Sequence, residues 1–217
     1  MFFDIHTHTI VPEGVWGLRN LRETETPEPA SGLYSMGVHP WYADPLHWKK
    51  QLEQLRVASR SPRVLAIGEC GLDKVCQVPF SLQETVFAAQ VEWANRLGKP
   101  LVIHCVRAWE ELLQLLEMEK NKVPVIFHGF VKNAALAARL TAKGYYISLG
   151  KALEKPAMQQ VLRQLPGDRF FLETDDAGLP VAQVYQWAAA ALAIDSNSLA
   201  LQMQENVKAV FGKASGL

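Results

Sequence analysis

Residues 64–104 read VLAIGECGLDKVCQVPFSLQETVFAAQVEWANRLGKPLVIH, and this stretch holds one whole repeat of the fold. Its opening apolar run, Val-Leu-Ala-Ile-Gly68, has the length and composition of a strand covered on both faces. Ser81 and Glu84 stand at capping-box spacing, after which Leu82, Val86, Ala89, Trp93 and Leu97 recur at helical spacing. Gly98 and Pro100 supply the stop before a second apolar run that ends at His104. Strand, helix and strand in that order make the β-α-β unit of a parallel sheet.

The same alternation extends in both directions. Strands are expected over 2–6, 15–21, 33–38, 64–68, 101–104, 125–128, 145–149 and 170–174. Helices are expected over 45–58, 107–119, 133–143, 156–164, 180–193 and 196–211, besides the one just described. Eight strands alternating with helices predict an α/β fold of the TIM-type (β/α) barrel class, with 1–217 as a single domain. Between His8 and Val15 the chain is too short for a helix, so the barrel is expected to be distorted there, its first crossover helix missing. Residues 22–32, rich in Pro, Glu and Thr without apolar periodicity, read as a surface loop.

Composition excludes several classes. Lys plus Arg total 22 and Asp plus Glu total 22, so nothing in the overall balance advertises a large electrostatic footprint for nucleic acid or acidic membranes, which leaves room for a local basic patch. No apolar run approaches the ~20 residues of a membrane span, and the opening residues lack a charged leader segment, so a cytoplasmic protein without membrane partners is expected; a monomer is expected by default, since the sequence does not identify the oligomeric state. Cys70, Cys76 and Cys105 are odd in number and lack C-x-x-C spacing, which reads as reduced packing thiols.

The polar residues at strand ends carry the chemistry. Asp4, His6 and His8 alternate on one strand face; alone, a His-x-His pair is equally a satisfied pair of core histidines. Glu69, His104, His128 and Asp175 each follow an apolar run, and in barrels of this class the C-terminal strand ends converge on one small volume. So many polar groups gathered together are costly without a compensating ion. Imidazole and carboxylate donors without thiolate suit one or two divalent ions, Mg, Mn or Zn.

These residues lie in a longer series: Asp4-x-His6-x-His8, Gly37-Val-His39-Pro40, Gly68-Glu-Cys-Gly-Leu-Asp73, His104, His128-Gly-Phe, Leu172-Glu-Thr-Asp175 and Asn206-x-x-x-Val-Phe211. In that order and over nearly the whole chain, the series resembles the TatD family of metal-dependent DNases, in the amidohydrolase-like superfamily. The resemblance implies a TIM barrel and a metal-dependent hydrolase that turns metal-activated water on phosphodiester bonds, as a 3′–5′ exonuclease of a single-stranded DNA or RNA end or on a small phosphodiester. It implies further that His6, His8 and Asp175 hold one ion, that His104 and His128 hold a second, and that Glu69 bridges them. Two ions ~4 Å apart lower the pKa of a shared water and neutralise the leaving oxygen, with Asp175 orienting that water or taking its proton.

The chain departs from the family at its short N-terminal region, at Gly129 where cysteine is usual, at Arg107, which stands one residue further from His104 than expected, and at Asp176-Ala-Gly. Candidate substrate contacts are His39, Asp73, Arg107 and Lys132, with Lys74 beside them; each is also readable as a loop charge, and His39 as a partner of a ligand. Glu173 is expected to bond a liganding histidine or to satisfy a buried polar layer. Trp41 and Tyr42 can stack on a base or sugar, or Trp41 can close the barrel end by packing. Two alternatives remain: an amidohydrolase-like enzyme acting on a small ester, lactone or amide, and a metal-binding scaffold without catalysis. Glu69, standing where that superfamily often places a carboxylated lysine, favours the DNase branch.

Overall fold

The computed structural model describes residues 1–22, 25–27, 32–212 and 216. Eight strands follow chain order in one sheet: β1 Phe2–Thr7, β2 Val15–Leu21, β3 Leu33–Met36, β4 Val64–Asp73, β5 Leu101–Val106, β6 Val125–Phe127, β7 Tyr146–Leu149 and β8 Phe170–Leu172. Their described pairings are parallel. Seven α-helices are described: α1 Trp48–Ala58, α2 Phe80–Leu97, α3 Trp109–Met118, α4 Ala134–Ala142, α5 Pro156–Leu162, α6 Val181–Leu192 and α7 Ser196–Phe211. No helix separates β1 from β2, as the eight strands and short first connection require. The loop expected over 22–32 lies partly outside the described residues; within it, Arg22 N–H donates to Glu25 Oε2 at 2.8 Å.

The chain packs as two compact units, Asn20–Val125 and Met1–Arg19 with Ile126–Leu217. The core of the first is β4, buried along its whole length, as a strand covered on both faces must be. Its register against β5 places Cys70 opposite Ile103 and Gly71 opposite His104. A Cβ on Gly71 would lie 1.9 Å from the His104 carbonyl oxygen, so only glycine lets these two strands approach there. Helix α2 lies over β4, burying Val86, Phe87, Val91 and Ala94.

The capping box expected at Ser81 and Glu84 does not form. The helix begins two residues earlier than a Ser81 cap implies, at Phe80, behind Pro79, which fixes the entry without a side-chain cap. Gly98 closes the helix in the left-handed conformation, as expected. Two buried glutamines of α2 tie down strand ends. Gln90 accepts from Val38 N at 2.7 Å and donates to Val38 O at 3.1 Å; Gln83 accepts from Asp73 N at 2.8 Å and donates to Asp73 O at 3.0 Å.

In the second unit, Tyr185 of α6 donates to Phe3 O at 3.2 Å and accepts from Phe3 N at 3.1 Å, which fixes β1. Asn206 of α7 donates to the carbonyls of Gly167 and Phe170, both at 2.9 Å, and so holds the entry to β8. Strand β8 ends at Leu172, two residues before the expected limit; beyond it Glu173 is 1% exposed, whereas the Asp175 side chain is 36% exposed.

Candidate metal centres

The first cluster lies in the unit containing the chain start. Asp175 N–H donates to His6 O at 2.9 Å and His8 N–H donates to Asp175 O at 3.1 Å, so a short parallel bridge sets Asp175 between the two histidines. Asp175 adopts φ 54°, a conformation that costs a non-glycine residue energy and persists where surrounding bonds enforce it. Asp4 supplies that enforcement: its two oxygens accept from Thr174 N at 3.0 Å and Thr174 Oγ1 at 2.6 Å, and Thr174 Oγ1 lies 3.0 Å from Thr7 Oγ1.

Asp175 Oδ1 is 3.5 Å from His6 Nε2 and 3.4 Å from His8 Nε2. Those separations are long for hydrogen bonds, yet they match donors sharing one cation through bonds of about 2.0–2.2 Å. The three donor atoms lie within 4.8 Å of one another. Burial works against the Asp175 carboxylate, but the imidazoles of His6 and His8 outweigh it and hold its pKa far below the usual range. His128 joins this cluster, its ring centroid 4.3 Å from that of His6. Glu173 Oε1 accepts the Gly129 N–H at 2.6 Å, so it fixes His128 through the adjoining main chain. Burial pushes the Glu173 carboxyl upward.

The second cluster lies within the other unit. Glu69 Oε1 is 3.0 Å from His39 Nε2 and 3.0 Å from His104 Nδ1, and the three donor atoms again lie within 4.8 Å of one another. The hydrogen bonds assign their roles. His39 Nδ1 accepts the Trp41 N–H at 3.1 Å, so the neutral ring carries its proton on Nε2 and donates to Glu69. His104 Nε2 meets Asp73 Oδ2 at 3.1 Å, an ionised carboxylate that only accepts, so Nε2 carries a proton and Nδ1 is the nitrogen that faces Glu69. Burial disfavours charge on His104, but Glu69 and then Asp73 outweigh it and raise its pKa.

Asp73 is therefore not a rim contact. It is 2% exposed, and its Oδ2 also accepts the Trp41 indole N–H at 2.6 Å while Oδ1 takes Val75 N at 2.7 Å. Burial favours its neutral form, but these donors with His104 win and keep its pKa below the ordinary value. Its side chain turns inward because Gln83 clamps its backbone on both sides.

Lys74, just past β4, pairs with Glu111 of α3. Arg107 and Lys132 are exposed, the former with φ 54° just past β5. Sequence reasoning missed Asn20, whose Oδ1 accepts Glu69 N at 2.8 Å and Ser35 Oγ at 3.0 Å. A buried asparagine in a strand carries no motif that would reveal it.

Parallel strands whose ends carry imidazole–carboxylate clusters of this kind define the class of barrel hydrolases that work with divalent ions. Within that class the chain belongs to the TatD related DNase family, whose model matches residues 15–212. A 3′-5′ ssDNA/RNA exonuclease TatD of Escherichia fergusonii is 29% identical over 230 residues, covering 89% of this chain and 85% of that one. The Shigella flexneri exonuclease of the same name is 31% identical over 72% of this chain, but the match spans 64% of the relative's own length. The crystal structure of YJJV, a TatD homologue from Escherichia coli K12, superposes with a TM-score of 0.80 at 24% identity over 97% of both chains, which shows the TIM-barrel fold. No described helix is long and apolar enough to cross a membrane.

Proposed function

We propose that this chain is a metal-dependent phosphodiesterase that removes nucleotides from the end of single-stranded DNA or RNA in the 3′–5′ direction. The observation that carries this reading is the pair of clusters, one in each unit, in which histidine and carboxylate donors gather within 4.8 Å. Family membership and the exonuclease relatives supply the substrate class. His6, His8 and Asp175 hold one divalent ion, with His128 beside them, and Glu69 with His104 Nδ1 holds a second, drawn from Mg, Mn or Zn by an oxygen and imidazole donor set.

When bound, such ions supply Lewis acidity that lowers the pKa of water and neutralises charge on the scissile phosphate. The protein's own groups do the positioning. Asp175 remains ionised at working pH, so its carboxylate orients water by accepting a hydrogen bond and receives the proton only as charge develops. His39 holds Glu69 by donating from Nε2, and Asp73 fixes the tautomer of His104. Arg107 and Lys132, both exposed, are left as the phosphate contacts of the substrate strand.

The test is turnover by protein stripped of metal and reloaded with Mg, Mn or Zn, on labelled single-stranded DNA and RNA, simple phosphodiesters, esters and lactones. Shortening of nucleic acid from the 3′ end, lost in Asp175→Asn, is expected. Turnover of esters or lactones alone would replace the phosphodiesterase reading, and nuclease activity surviving Asp175→Asn would remove the mechanism.

A further inference from the structure

Beside the Glu69–His104 pair, the turn Pro40–Tyr42 carries two large rings that the mechanism above does not use. Trp41 is 52% exposed and Tyr42 is 50% exposed. A tryptophan that served to close a core by packing would be buried, because covering an aromatic ring is worth a few kcal/mol. Trp41 forgoes that gain and is nonetheless held in place. Its indole N–H donates to Asp73 Oδ2 at 2.6 Å, and its backbone N–H donates to His39 Nδ1 at 3.1 Å. Its ring stands edge-on to His39, centroids 5.1 Å apart at 88°, and to His104, 5.8 Å apart at 77°. Tyr42 also leans on His39, ring centroids 5.5 Å apart at 44°.

A half-exposed indole fixed in orientation against two site imidazoles is a preorganised flat surface, and the ligand complementary to it is another flat π system. Deepening the phosphodiesterase reading and resting on it, the geometry points to Trp41, with Tyr42 beside it, as the subsite on which the nucleobase next to the scissile phosphate stacks. Stacking takes any base, because every base offers a π face, so the subsite gives affinity without sequence preference. The bond from Trp41 to Asp73 ties the same ring to the carboxylate that orients His104, which brings the bound base into line with the reacting phosphate.

The experiment uses the manganese-loaded full chain with oligothymidylates whose terminal or penultimate nucleotide is either intact or an abasic tetrahydrofuran analogue. Wild-type protein is expected to lose about tenfold in kcat/KM, mostly through KM, when the flanking base is removed. Trp41→Ala is expected to lose a similar factor on the intact oligomer and to be indifferent to the missing base. Trp41→Phe, which keeps a ring but loses the N–H to Asp73, should retain most of the base preference while kcat falls. Equal losses by Trp41→Ala on intact and abasic oligomers, or a Trp41→Phe variant that discriminates no better than alanine, would overturn the subsite while leaving the nuclease in place. Absence of turnover of any oligomer by wild-type protein would overturn both.

Discussion

Asp73 and Asp4 are both buried carboxylates one step removed from a proposed metal donor, and they differ in what surrounds them. Asp73 is surrounded by donors and stays ionised, the state in which it can hold His104. Carboxylates that orient a liganding histidine typically contribute 10- to 100-fold to metal affinity. Asp73→Asn should therefore weaken manganese or zinc binding by about that factor in calorimetric titration with little change in the folded chain's circular dichroism; undiminished affinity would deny it the orienting role. Burial pushes Asp4 up to about 6, against the pull of its bonds from Thr174. A carboxyl whose pKa rises on folding makes the folded state bind more protons, so its favourable contribution is complete below about pH 4 and is lost as pH climbs to 6. The ionised form costs about 3 kcal/mol at neutral pH. In Asp4→Asn the metal-free protein should lose that pH dependence, so denaturant midpoints of wild type and variant, compared between pH 4 and 7, should diverge as pH rises. Parallel curves would show that Asp4 is paired more strongly than its burial implies.

The strands and helices were legible in the sequence because their signals are periodic and local. The seven described helices and eight described strands fall where apolar spacing places them, with most ends shifted by a few residues; β4 is the exception, running on from the expected limit at Gly68 to Asp73, so that Glu69 lies within it. The residues that position the site were not, because they act across elements. Gln83 and Gln90 sit on the buried face of α2 and look like polar interruptions of its apolar stripe, yet they bind the chain at Asp73 and Val38, next to the site residues Asp73 and His39. His6, His8, Glu69, His104, His128 and Asp175 were readable as strand-end polar groups, whereas the inward turn of Asp73 and the support from Asn20 follow from hydrogen bonds that spacing does not encode. Gln90→Leu should leave the Val38 N–H and C=O buried without their partner, at a cost of about 2–4 kcal/mol, visible as a lower denaturant midpoint at unchanged slope. Gly71→Ala should be harsher, since the new methyl meets the His104 carbonyl at 1.9 Å and strand β5 must move, taking His104 with it. A Gly71→Ala protein with wild-type metal affinity would show that this approach is not needed to place His104.

At the scale of the whole molecule, the balanced charge of 22 basic and 22 acidic residues bears on how a nucleic acid would be held. A protein that binds strands through a basic surface neutralises many phosphates and releases their counterions, so its affinity falls steeply with salt, by about 0.7 in the log–log slope per phosphate on a single strand. This chain has no surplus of cations for such a footprint, and the proposed grip is instead local: ions beside the reacting phosphate and a flat ring for one base. Stacking is nearly indifferent to salt, and partly buried charges are screened less than exposed ones. Binding to the manganese-loaded wild-type chain of a fluorescent oligothymidylate whose 3′ linkages are phosphorothioates that resist cutting should therefore weaken only gently between ~50 and ~300 mM salt, with a slope shallower than about −2, or fewer than about three phosphates engaged. A slope several times steeper would mean that the strand is held along an extended basic track, and the local grip would have to be abandoned.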